Sequence, residues 1–137
     1  MRQLWPGVDT SASCLIHADF WPGNTLWKAG QLLAIVDWEW PALGEPTIDV
    51  AYVLSDSAYF GMDIEETFIE TYEQASGRPV QDLLFWKMMA AAIPMPDVGH
   101  WAQGYAELGI RKMNSDEIRR AHSEYIQKLL AVFRSNV

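Results

Sequence analysis

His17-Ala18-Asp19-Phe20-Trp21-Pro22-Gly23-Asn24, followed after a short apolar stretch by Asp37-Trp38-Glu39, brings together the residue types that phosphoryl transfer uses. In the spacing H-x-D-x-x-x-x-N, an Asp can accept the proton of an attacking hydroxyl, and the Asn one tight loop later can hold a magnesium ion. Magnesium is a hard cation that favours oxygen donors and commonly takes one or two carboxylates plus substrate phosphates. Asn24 and Asp37 suit that sparse ligand set, with Asp19 beside them as the base. Glu39 is either an outer group orienting metal waters or a solvated side chain. Trp21, inside the loop, is the ring expected to face a substrate, whereas Trp38 and Trp40 read as core or lid.

Short elements must position these groups. Ser13 to His17 is an apolar strand that delivers the loop, and Pro22-Gly23 turns Asn24 back toward Asp19. Thr25 to Lys28 and Leu32 to Val36 form a hairpin across Ala29-Gly30-Gln31, with Asp37 at its end. Gly44-Glu45-Pro46-Thr47-Ile48-Asp49 then opens a helix from Thr47 with Ile48, Ala51, Tyr52 and Ser55 on one face. A second helix starts at Asp63-Ile64-Glu65-Glu66, where Asp63 followed by Glu66 resembles a capping box, and stops at Gly77 before Pro79. Asp82 to Ile93 is a third, strongly apolar helix, and Met88 to Met95 reads as its buried end. A short helix spans His100 to Leu108. An amphipathic one runs from Ser115 to Phe133, with Ile118, His122, Tyr125, Ile126, Leu129 and Phe133 at helical spacing. His100 and His122 lack ligand-spaced partners and read as structural.

The tripartite pattern resembles that of aminoglycoside phosphotransferases and choline-kinase-like enzymes, a branch of the protein-kinase-like fold: H-G-D-x-x-x-x-N, then D-x-[DE], then G-[DE]-P-x-x-D. The likeness runs from Leu15 to Ala51. It implies an α+β, mainly α architecture, the C-terminal lobe of that fold, in which a small hairpin carrying the site precedes about five helices. The catalytic loop would be 15–24, the hairpin and metal segment 25–39, and the helical part 45–135 of a single domain, 1–137. It further implies Asp19 as catalytic base, Asn24 and Asp37 as metal ligands, Mg²⁺ with ATP or GTP as phosphoryl donor, His17 packing and hydrogen-bonding around the loop in a structural role, and Asp49 reaching back to the loop backbone. Ala18 departs from the family's Gly, which matters if the backbone there needs positive φ.

Such an enzyme also needs a glycine-rich loop and a strand Lys on the phosphates. The sixteen residues before His17 contain neither. A lobe lacking its nucleotide-binding half is the expectation, with little or no turnover by this chain alone. Two readings stay open: a phosphotransferase acting on a hydroxyl of a small molecule, or a catalytically incompetent remnant that acts as a binding or interaction module.

Composition narrows the partners. The 137 residues have the size of one domain and could bury about 68% of the unfolded surface. With 50% apolar residues and seven Trp, an uncovered apolar face beside the N-terminal strand is expected, covered by a second copy or by the missing lobe. A formal charge of −8 excludes a nucleic-acid partner and suits a cationic acceptor, though ordinary acidic proteins carry as much. One cysteine, Cys14, forms no internal disulfide, and no signal-like or membrane-length apolar run occurs, so a cytoplasmic protein is expected.

Overall fold

The structure, a computed structural model, describes residues 7–8, 13–107 and 113–135. Strand β1 (Cys14–Ile16) leads into the motif loop, and a 3₁₀ turn at Pro22–Asn24 leads into β2 (Thr25–Lys28). Strand β3 (Gln31–Ile35) closes the hairpin, and β4 (Ala42–Gly44) returns antiparallel to β1 with Cys14 opposite Gly44. Five helices follow: α1 (Thr47–Tyr59), α2 (Glu65–Ser76), α3 (Leu83–Ala92), α4 (Trp101–Glu107) and α5 (Ser115–Ser135). The described chain is thus mainly helical, with two small two-stranded sheets. Strand β4 was not expected from the sequence. The expected end of α4 at Leu108, and most of the reading of Met1 to Ser13, fall outside the described residues.

Helix α1 is the axis of the packing. It buries Thr47, Ile48, Val50, Ala51, Val53, Leu54, Ser55, Asp56, Ser57 and Tyr59, so its single apolar stripe is corrected to burial nearly all round. One cluster, Ile16, Ile48, Ala51 and Ala90, fastens β1 to α1 and α3. A second joins Tyr59 and Ala91 to Tyr125 and Leu129 of α5, whose 3.6-residue stripe also buries Ile118 and His122. His122 Nε2 meets the Ala91 carbonyl at 2.7 Å, a structural role as expected.

Two expectations fail in the helices. Helix α2 starts after Ile64, with no side-chain cap, so the Asp63 capping box does not form. It buries no residue, and the Lys87–Glu65 ion pair is its charged tie to α3. The end of α3 emerges into solvent, with Ile93 and Met95 exposed. Gly77 does terminate α2, in the left-handed conformation (φ 67°) that lacks a penalty only for glycine.

Both strand pairs leave apolar side chains uncovered: Leu15 and Leu43 on one, Leu26, Trp27, Leu32 and Leu33 on the other. Trp38 and Trp40, expected as core or lid, are exposed as well. None of the described helices is long and apolar enough to cross a membrane.

Candidate active site

The motif loop is held from three sides. Asp49, one turn into α1, accepts the backbone N–H groups of His17 at Oδ2 (2.7 Å) and of Ala18 at Oδ1 (2.9 Å). Two backbone donors on one carboxylate satisfy groups that would otherwise cost about 1–3 kcal/mol each when buried. His17, almost fully buried, places Nε2 2.8 Å from the Val36 carbonyl. A carbonyl only accepts, so Nε2 carries the proton and Nδ1 is left a buried acceptor without a partner. The Val36 N–H in turn donates to the Asn24 carbonyl at 2.9 Å. Loop and hairpin end are thereby tied at Val36, immediately before Asp37.

Ala18 (φ 64°) and Asp37 (φ 63°) both lie in the left-handed region. Asp tolerates that region better than most residues. Ala does not, and the conformation costs an L-residue about 1–2 kcal/mol. The departure at Ala18 therefore falls where a Gly would be free of strain, and the Asp49 clamp holds the strained backbone in place.

Asp19, Asn24 and Asp37 open together onto one cavity of about 300 Å³, lined also by Trp21, Tyr52, Asp56, His100, Trp101, Gly104 and Tyr105. Asn24 is buried; its Nδ2 donates to the Asp19 carbonyl (3.0 Å) and lies 3.5 Å from Asp19 Oδ2. With its amine end committed to Asp19, its Oδ1 is the end left to accept from a ligand or coordinate a cation. The Asp19 carboxyl is raised above its ordinary value, first by burial and further by Asp37 and Asp49, while His17 and the Asn24 hydrogen bond oppose the shift. Tyr52 is pushed up to about 12 by burial and by Asp19 and Asp49.

Trp21 also reaches the cavity wall, edge-on to Tyr105 with ring centroids 5.3 Å apart. Gly23 makes room for it, since a Cβ there would fall 2.2 Å from the indole ring. The Pro-Gly turn read from sequence has this second, steric purpose. Glu39 is exposed and outside the cavity lining. Asp49 lies beneath the loop, bonded to its backbone.

Sequence reasoning gave no site role to the lining residues Tyr52, Asp56, His100, Trp101, Gly104 and Tyr105. His100, read as structural, stands at the cavity with Nδ1 2.7 Å from the Asp97 carbonyl. Asp56 and Tyr105 were not singled out. Tyr105 donates to Asp56 Oδ1 at 2.9 Å, and burial with the nearby Asp19 charge pushes the Asp56 carboxyl up to about 6 against that hydrogen bond. The signal was a Ser-Asp-Ser run inside an otherwise apolar helix.

No group of three or more His, Cys, Asp or Glu that could hold a metal occurs among the described residues. One carboxylate and one amide oxygen beside open space is nonetheless a fitting donor set for Mg²⁺, which keeps waters and substrate phosphates as its other ligands. The sequence pattern of the phosphotransferase enzyme family matches residues 1–89, about two thirds of the chain. No curated protein matches it.

Proposed function

The chain belongs to the phosphotransferase enzyme family, and from that premise we propose that it is the catalytic lobe, of protein-kinase-like type, of a small-molecule kinase. The reaction is transfer of the γ-phosphoryl of ATP or GTP to a hydroxyl of a small acceptor. What carries this reading is one juxtaposition: Asp19, Asn24 and Asp37 line a single cavity, with the Asn24 amide turned onto Asp19.

Asp19 takes the proton of the attacking hydroxyl. Its raised carboxyl is the more basic for being buried, which suits proton acceptance. Asn24 Oδ1 and the Asp37 carboxylate would hold Mg²⁺, which when bound neutralises charge on the transferring phosphate. Asp49 and His17 keep the loop in place, and Trp21 closes one wall. A cytoplasmic site of action, where nucleoside triphosphate and magnesium are plentiful, goes with this chemistry.

The test is ADP release from Mg·ATP across a panel of hydroxylated acceptors. Asp19→Asn is expected to lower kcat by about 10²–10⁴-fold. Asn24→Ala and Asp37→Asn should weaken binding of Mn²⁺, used as a paramagnetic probe. A wild-type chain that neither binds Mn²⁺ nor responds to Asp19→Asn refutes the assignment.

A second reading has its own observation. The described residues that line the cavity include no Lys or Arg, whereas phosphoryl transfer relies on positive groups around the triphosphate. A chain acting alone would then be a binding module that keeps the acceptor face without turnover. Acceptor binding with no ADP release at any Mg·ATP concentration would favour it.

A further inference from the structure

Helix α5 turns one side toward open space rather than toward the core. A groove of about 840 Å³ runs along it, floored by Leu54, Tyr59, Leu84, Tyr125 and Leu129, with Met62 and Val132 about half exposed at its edges. Leu54 and Ala58 of α1 line this groove, whereas Tyr52 and Asp56 line the motif cavity. At 3.6 residues per turn the two pairs lie on opposite faces of α1, so the groove is separate from the site of the chemistry.

Along the lip of the groove α5 carries Glu117, Arg120, Glu124 and Lys128. Steps of three or four residues set them in one row, and their signs alternate. Arg120 with Glu124, and Glu124 with Lys128, have the spacing at which ion pairs form within a helix. Among the described residues, however, Arg120, Glu124 and Lys128 have no ion-pair partner, and all three are exposed. Glu117 accepts only the Asn114 N–H, at 2.8 Å.

A row that reads minus, plus, minus, plus is complementary to itself in one direction only. A second α5 laid parallel and in register would set every charge against its like. Laid antiparallel, it sets Glu117 against Lys128 and Arg120 against Glu124, and each pair occurs twice. The midpoints of the two pairs differ by half a residue, about 0.75 Å along the helix, so a single twofold axis level with residues 122–123 serves both. Such an axis closes the assembly at two copies.

We propose that the α5 face is an interface between two copies of this chain, paired antiparallel about that axis. Ala121 lies near the axis and Val132 at each end, and the stems of Arg120 and Lys128 cover apolar groove wall while their charges meet the carboxylates of the second copy. From Glu117 to Val132 the contact extends about 22 Å, which buries on the order of 1,000 Å² in total, the low end for a specific pair. Apolar contact supplies the affinity, and the charges choose the partner and its direction. The second copy expected from the apolar content is thereby assigned to α5 and not to the uncovered strand faces.

The test is sedimentation equilibrium of the whole chain from about 1 µM to about 1 mM. Wild type is expected to dimerise with a Kd of about 1–100 µM. Arg120→Glu sets Glu against Glu124 twice across the axis, and Glu124→Arg sets Arg against Arg120 twice, so each variant alone should dimerise about tenfold or more weakly. Both positions are exposed, and unchanged far-UV circular dichroism checks that the fold survives. Mixed in equal amounts, the two variants regain all four opposite-charge contacts and should associate within about threefold of wild type. Salt should weaken the wild-type dimer and strengthen each variant's own. A wild-type chain monomeric at about 1 mM, a dimer unmoved by either substitution, or weakening that mixing does not restore overturns the proposal.

Discussion

Replacing Asp49 by Asn should unfasten the motif loop, although the side chains differ by a single group. The carboxylate accepts two backbone N–H groups, from His17 and Ala18, one on each oxygen. A carboxamide in the same pose has one accepting oxygen and turns its own N–H₂ toward the other donor. Asp49→Ala leaves both unpaired. Two orphaned N–H groups at about 1–3 kcal/mol each amount to about 2–6 kcal/mol. Burial raises the Asp49 carboxyl above its ordinary value, so removing the charge recovers some desolvation cost and draws the net loss toward the lower part of that range. The expected net loss is about 2–4 kcal/mol for Ala and about 1–3 kcal/mol for Asn. An unfolding entropy near 2.1 cal/mol/K per residue makes each kcal/mol worth about 3–4 °C in a chain of this length. Asp49→Ala should therefore lower Tm by about 7–14 °C. Urea unfolding at pH 7 followed by tryptophan emission measures the loss, and hydrogen exchange at the amides of His17 and Ala18 localises it. An Asp49→Asn variant within about 0.5 kcal/mol of wild type, with both amides still protected, would refute the clamp.

Asp56→Asn should act in the opposite direction. The Asp56 carboxyl moves from 3.8 to about 6 on folding, so between those values the native state holds the extra proton and stability rises as pH falls. That shift corresponds to about 3 kcal/mol at neutral pH. The variant should be more stable at pH 7 by up to that amount and show a shallower slope between pH 4 and 6, and an unchanged slope in urea titrations would contradict it. Gly23→Ala should expel Trp21 from the cavity wall, seen as a red-shifted, more quenchable emission with a smaller effect on global stability. Glu65→Gln should loosen α2, since it leaves the buried Lys87 ammonium without its counter-charge. Exchange at the α2 amides should rise well above the rest of the chain, and uniform protection would exclude the tie.

How far the sequence could be read depended on whether the signal was local. The loop, the hairpin and the five helices were legible because each rests on short-range pattern: Pro-Gly and Ala-Gly turns, period-2 and period-3.6 apolarity, and a glycine stop at Gly77. Strand β4 was not, because three residues are too few to alternate and their partner is the distant β1. The Asp56–Tyr105 side of the cavity was equally hidden. Asp56 and Tyr105 meet across 49 positions, on two helices whose periodicity says nothing of which polar residue faces the other. Asp63 failed as a cap for a different reason: α2 begins two residues later, which puts Ile64 at the cap position.

The conformation of Ala18 shows where pattern alone misleads. A short, β-following Ala by itself gives no sign of a left-handed φ, and only the family's usual Gly at that place points to it; both segments that carry the carboxylates, Ala18-Asp19 and Asp37, turn through that region. A backbone bent that way at two places does not hold itself. It is held here by the Asp49 carboxylate on one side and by the His17–Val36–Asn24 relay on the other, each a hydrogen bond between residues far apart in sequence. That explains why Asp49 remains a carboxylate despite the raised proton affinity that burial gives it. Asn would be the cheaper residue to bury, but in this pose it offers an accepting atom to only one of the two donors. The strain at Ala18 and the buried charge at Asp49 are thus two sides of one arrangement, whose outcome is that Asp19, Asn24 and Asp37 open onto the same cavity.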